Sequence, residues 1–144
     1  MLTAAFALAA CGGGDGAPEG DTDNSAEEFA GQKRVAAQTV EDFSNAVATG
    51  DWSTICESLF TSTEVEQTAG ILGGDCESEL ADEFEDNRDL NLTVEKVTTG
   101  GAFVTSGEVM VESKDDEGNS QTFTLADDGT DYRIDGYAGT FGAD

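Results

Sequence analysis

Ala36, Val40, Phe43 and Val47 return every three to four residues, with Ala37 and Ala46 beside them and Glu41, Asp42 and Asn45 between. This is the period of an α-helix with one apolar stripe, and it leaves Glu41, Asp42 and Asn45 facing water. Gly50 suits the left-handed residue that closes a helix, and Asp51 suits the N-cap of the next. In that second helix Trp52, Ile55, Cys56 and Leu59 fall on one side. A looser stretch through Gly70 and Gly73-Gly74 leads to a third helix, where Cys76, Leu80 and Phe84 lie four apart.

After Asn87 the period changes to two. Leu90, Leu92 and Val94 alternate, and Val97 then breaks phase, which predicts a bulge near Glu95 and Lys96. Ala102 to Glu112 reads as a long strand with a bend at Gly107. A turn over Lys114 to Asn119 precedes alternation at Phe123 and Leu125. Asp128-Gly129 then turns the chain into Tyr132 and Ile134. Three helices followed by four strands with short connections predict an α+β domain, its helices packed on one face of a curved four-stranded antiparallel sheet.

The N-terminus has a different pattern. Leu2 to Ala10 is apolar but nine residues long, too short to cross a hydrocarbon core of roughly 30 Å and of the length of a signal-peptide apolar region. Leu8-Ala9-Ala10-Cys11 resembles the lipobox of bacterial lipoproteins. That resemblance implies a diacylglyceryl thioether on Cys11, cleavage before it, and a lipid anchor on the extracytoplasmic side of the cell membrane. No Lys or Arg precedes Lys33, whereas a signal peptide opens with basic residues; a start codon upstream of Met1 would supply them. A buried apolar N-terminal segment with an ordinary cysteine is the competing interpretation.

From Gly12 to about Ser25 the chain is rich in glycine and acids and lacks large apolar residues, and residues 12–31 are expected to form a flexible tether between the signal segment, 1–11, and a domain spanning 32–144. Asp21 to Ser25 does not continue as a calcium loop, since Ala26 stands at the glycine position and Gln32 at the terminal glutamate. Three cysteines occur, Cys11, Cys56 and Cys76. With Cys11 assigned to lipid, export to an oxidising compartment leaves a single pairing, Cys56 with Cys76; two buried free thiols are the alternative.

Charge narrows the partners. The chain has 31 acidic and 6 basic residues, a formal net charge of −25, and no histidine. Such a field repels nucleic acid and the anionic face of a bilayer, and it also suits a high-salt habitat. Without histidine the usual near-neutral base and the commonest metal ligand are missing, and neither a metal nor a cofactor is expected. The acidic stretch Asp75 to Asp89 reads first as a solvated face and second as a docking face for a basic partner or a weak cation site. Asn91-Leu92-Thr93 matches a glycosylation acceptor but falls in a predicted strand.

Val40, Phe43, Ala46 and Gly50-Asp51, then Cys56 with Leu59, then Asp131-Tyr132-Arg133-Ile134, resemble the nuclear transport factor 2-like (cystatin-like cone) domain as it occurs in small secreted bacterial lipoproteins. The resemblance spans roughly Gln32 to Phe141. It implies a cone whose mouth often forms an apolar pocket serving isomerases, dehydratases or ligand binders, with candidate pocket residues Glu108, Tyr132, Asp135 and Tyr137. On a regular strand Tyr132 and Asp135 point to opposite faces and Tyr137 follows Asp135, so no acid and base converge. The expected function is therefore a non-catalytic module binding a small apolar ligand or an envelope protein, with an isomerase- or hydrolase-type enzyme as the alternative.

Overall fold

The computed structural model describes residues 25–70, 73–100, 107–129 and 131–141. The expected signal segment, the lipobox Leu8, Ala9 and Ala10 with Cys11, the tether up to Asn24 and residues 102–106 of the expected second strand lie outside the described residues. Helix α1 (Gln32–Thr49) buries Ala36, Ala37, Val40, Phe43, Ala46 and Val47, the stripe its spacing predicts. It stops at Gly50, whose φ of +69° is left-handed, and the N–H groups of Gly50 and Asp51 return to the carbonyls of Val47 and Ala46. Asp51 then caps the next helix, accepting from the Thr54 N–H at 3.2 Å and the Thr54 hydroxyl at 2.7 Å.

One side chain of α1 departs from expectation. Glu41 is buried, at 3 % exposure, because Ser25–Glu28 folds as a 3-10 turn over it. The Ser25 hydroxyl donates to Glu41 Oε1 at 2.9 Å and the Ala26 N–H donates to the same oxygen at 2.6 Å. Ser25 also accepts from the Val94 N–H at 2.9 Å, which ties this turn to the sheet. Residues 25–31, expected in the tether, thus begin the packed body. Composition hid this because the buried contacts of the segment are made by Ser25 and Ala26 with one buried acid, and Phe29 adds only a partly buried ring.

Helix α2 (Trp52–Thr54) widens directly into a π-type turn over Ile55–Leu59, and Phe60 leaves it in extended geometry. A helix absent from the hydrophobic pattern follows, α3 (Ser62–Gly70), capped by the Thr61 hydroxyl, which accepts from the Glu64 N–H. Its buried residues are Glu64 and Thr68, one helical turn apart, and its one large apolar residue, Val65, is only partly buried against the core, so no apolar stripe marks its inner face. Helix α4 (Cys76–Glu83) starts at Asp75, which accepts from the Ser78 N–H at 3.1 Å. The disulfide Cys56–Cys76, with its Cα atoms 6.2 Å apart, joins the π-type turn to the first residue of α4. Closing a loop of 20 residues stabilises by about 3 kcal/mol in the chain-entropy account.

Four antiparallel strands follow in the order in which they occur: β1 (Thr93–Thr99), β2 (Glu108–Lys114), β3 (Ser120–Asp127) and β4 (Tyr132–Gly139). The fold is α+β, with four helices among the described residues, one more than predicted. The predicted bulge is present in β1, where Val94 pairs with Ser113 and Lys96 with Glu112, leaving Glu95 as the extra residue. Gly107, at φ +92°, lies just before β2, and its carbonyl accepts from the Asp127 N–H.

A second bulge was not predicted. Ile134 pairs with Leu125 and Gly136 with Thr124, so Asp135 is an extra residue in β4. The phase of the strand shifts by one there. Tyr137 consequently pairs with Phe123 and lies on the helix-covered face, not opposite Tyr132 as a regular strand would place it. Along the free edge of β4, Phe60 forms a parallel bridge to Ile134 and the Thr61 N–H donates to the Ile134 carbonyl at 2.9 Å, so the edge is partly covered.

Between helices and sheet the space is filled by rings. Phe43 has ring centroids within 5.5–6.0 Å of Phe123, Tyr137, Phe84 and Phe60. Phe43→Ala is expected to destabilise by about 3–5 kcal/mol, since it leaves a cavity under four rings, whereas Thr122→Ala on the outer sheet face should change stability by less than about 0.5 kcal/mol. Urea unfolding of the two variants checks this ordering, and equal midpoints would show that the ring cluster is not the core.

Candidate functional site

The four candidate pocket residues separate. Glu108 lies on the outer face of the sheet, paired with Ala126 and out of phase with the buried Val109 and Val111. Tyr132 is buried on the inner face beside α1, where its carbonyl accepts from the Thr39 hydroxyl at 3.2 Å, and it borders a cleft of about 410 Å³ with Val35 and Leu59. Asp135, the extra residue of the β4 bulge, and Tyr137, two positions on, instead both lie near Glu64 of α3, and Tyr137 also meets Glu83 of α4.

There the sequence builds a second cleft, of about 480 Å³, from the polar faces of two helices and one strand. Glu64, Gln67 and Thr68 line it from α3, Glu79, Asp82 and Glu83 from α4, and Tyr137 from β4. The Tyr137 hydroxyl donates to Glu83 Oε2 at 2.8 Å. Asp135 stands behind Glu64, where its Oδ1 accepts from the Thr61 hydroxyl at 2.7 Å. Thr61 therefore has two tasks: it caps α3, which fixes Glu64, and it holds the bulged aspartate.

Glu64 is the most deeply set carboxyl of the cleft, at 8 % exposure. It makes no side-chain hydrogen bond or ion pair among the described residues. Burial, then the charges of Asp135 and Glu83, push its pKa up to about 7. Burial, then the negative charge of Glu83 and the hydrogen bond to it, raise Tyr137 well above its ordinary value. The phenol is thus a neutral donor and not a base.

Chemically the cleft presents four acidic side chains, one of them with its pKa raised to about 7, and one fixed hydroxyl donor. Among the described residues no group of three or more His, Cys, Asp or Glu is arranged to hold a metal ion. No described helix is long and apolar enough to cross a membrane. Sequence reasoning found Asp135 and Tyr137, took in Glu79, Asp82 and Glu83 only as part of the acidic stretch Asp75 to Asp89, and missed Glu64. The available signal was the pair Glu64 and Thr68 at helical spacing after a threonine cap, which has no apolar component. Comparison with protein-family models, with curated proteins and with solved structures finds no match for this chain.

A raised carboxyl pKa sets the sign of a pH effect. The folded state retains the Glu64 proton up to about pH 7, whereas the unfolded chain releases it near 4.5, so stability falls as pH rises between those values. Glu64→Gln removes the penalty. The variant should match the parent near pH 4 and exceed it by about 1–2 kcal/mol at pH 8, after allowance for partial solvent screening. Denaturant melts of both proteins at the two pH values measure the difference, and a variant less stable at pH 8 would refute it.

Proposed function

We propose that this chain is a lipid-anchored, extracytoplasmic binding module that engages its partner at its surface and does not turn it over. The observation that carries this is the filled interior: Phe43, Phe60, Phe84 and Phe123 occupy the space between helices and sheet that an enclosed apolar ligand would need. A cone of the nuclear transport factor 2-like kind is compatible with two bulged strands, since each bulge bends its strand. By that likeness the cone here would be plugged. Export to an oxidising compartment is supported by the Cys56–Cys76 bridge, and the anchor by Leu8-Ala9-Ala10-Cys11.

One observation favours the enzymatic alternative. The Tyr137 hydroxyl, Glu83 and a carboxyl poised near neutrality share one cleft, and a group with a pKa near the working pH is suited to general acid–base work. No nucleophile paired with a base accompanies them among the cleft residues, which favours binding. Hydrolysis or isomerisation of generic ester or ketone substrates, abolished by Tyr137→Phe, would establish the enzyme instead.

Fractionation of expressing cells tests the anchor. The parent should sediment with membrane, and Cys11→Ser should appear in the medium or as an uncleaved precursor; equal membrane retention of both refutes the lipid. Mass spectrometry after alkylation should label Cys56 and Cys76 only in reduced protein, and labelling of both under native conditions would remove the support for export.

A further inference from the structure

Binding without turnover, as proposed above, leaves the bound species unspecified. Resting on that reading, we infer that the cleft between α3, α4 and β4 is a site for an organic cation, a primary ammonium or guanidinium group, with Glu64 as its innermost ligand.

Two independent observations meet at this place. The first is charge without compensation: Glu64, Glu79, Asp82 and Glu83 line the cleft, and none of its lining residues is basic. The basic side chains of the chain are engaged or placed elsewhere. Lys96 pairs with Glu112, Lys114 with Glu95 and Arg133 with Asp128, Arg88 stacks over Trp52, and Lys33 and Arg34 begin α1. The second is Glu64 itself. As a residue it is more than nine-tenths buried, its carboxyl borders the cleft, and it has no hydrogen-bond or ion-pair partner among the described residues, so its oxygens are free to take a donor that enters the cleft.

The fold also holds this arrangement in place. Thr61 caps α3 and binds Asp135, so the residue behind Glu64 is fixed; Tyr137 donates to Glu83, so one oxygen of that carboxylate is oriented and the other is left for a donor. An ammonium or guanidinium supplies several N–H donors on one charge, which matches carboxylates spread over two helices. A divalent metal does not match, because no three of these groups are arranged as ligands. The cation can arrive as a free diamine or polyamine, or as a lysine or arginine side chain of a partner peptide.

Binding would also move a proton. Glu64 faces Glu79, Asp82 and Glu83 of α4 and Asp135 and Tyr137 of β4, all acidic or neutral. A cation placed among them favours the ionised form, so Glu64 releases its proton on binding below about pH 7, and affinity rises with pH up to that value.

Isothermal titration of the full chain at low ionic strength, with agmatine, spermidine and a terminally blocked Lys/Arg peptide as probes, tests this. Saturable one-to-one binding of at least one probe is expected, weakened about tenfold or more in Glu64→Gln. Titration at pH 6 in buffers of different ionisation enthalpy should show proton release in the parent and none in the variant. Glu112→Gln, which removes the same charge from the outer sheet face, should bind like the parent. Preference for agmatine or spermidine assigns a free cation, preference for the peptide a protein partner, and either supports the site. Equal affinity in the parent, Glu64→Gln and Glu112→Gln would mean counterion attraction by net charge and overturns it. Absence of saturation by any probe, or stronger binding of magnesium at the same cleft, also overturns it. Because Glu64→Gln is expected to gain stability, lost binding cannot be confused with lost folding. Turnover of a probe would instead refute the non-catalytic proposal while leaving the site intact.

Discussion

Phe43 occupies the one place in α1 from which rings of four other segments are reached: Phe60 after the π-type turn, Phe84 at the end of α4, Phe123 on β3 and Tyr137 on β4. Each such pair adds about 0.5–1.5 kcal/mol beyond the area it buries, and the larger effect is geometric. With its ring fixed among the others, α1 is set against the sheet at one height. Tyr137 belongs both to this cluster and to the acidic cleft, so the packing of the core determines where its hydroxyl meets Glu83. Core and cleft are therefore one mechanical unit. A change in ring packing is felt at a carboxylate on α4.

Electrostatics organises the rest of the surface. The two cross-strand ion pairs, Lys96–Glu112 and Lys114–Glu95, lie on β1 and β2, and Arg133 pairs with Asp128 at the turn into β4. All three pairs are exposed, so each is worth at most about 1 kcal/mol. Their positions matter more than their energy. They leave the α3–α4 face without a basic side chain among the residues that line the cleft, and Glu64 there lies within reach of the charges of Asp135 and Glu83.

Much of the domain was legible in the sequence because its signals are local. The α1 stripe, the Gly50 stop, the Asp51 cap and the β1 bulge each follow from a few adjacent residues, and the observed elements agree with them. What was not legible depends on residues distant in sequence. Helix α3 buries Glu64 and Thr68, so it lacks the apolar period by which helices are recognised. Glu41 looks like a surface residue until Ser25, sixteen positions earlier, is seen bonded to it. The β4 bulge has one local sign, Gly136 beside Asp135, which the sequence reading did not use; the extra residue is seen in the pairing with β3, and Thr61 binds it. The candidate cleft joins α4, whose helix and acidic stretch were legible, to α3 and the shifted part of β4, which were not, so Glu64 and the placement of Tyr137 were not anticipated.

The extra residue in β4 has a consequence for how such a domain diverges. A strand with period two offers each position one face only, and substitution cannot alter that. Insertion or loss of a single residue exchanges the faces of everything beyond it. In this chain that residue is Asp135, and what lies beyond it is Tyr137. Deleting Asp135 would return Tyr137 to the outer sheet surface, withdraw a ring from the core and take the hydroxyl away from Glu83. Between relatives of this domain, gain or loss of the acidic cleft would thus be recorded as a one-residue length difference in the last strand, and a residue-by-residue comparison that ignored gaps would miss it.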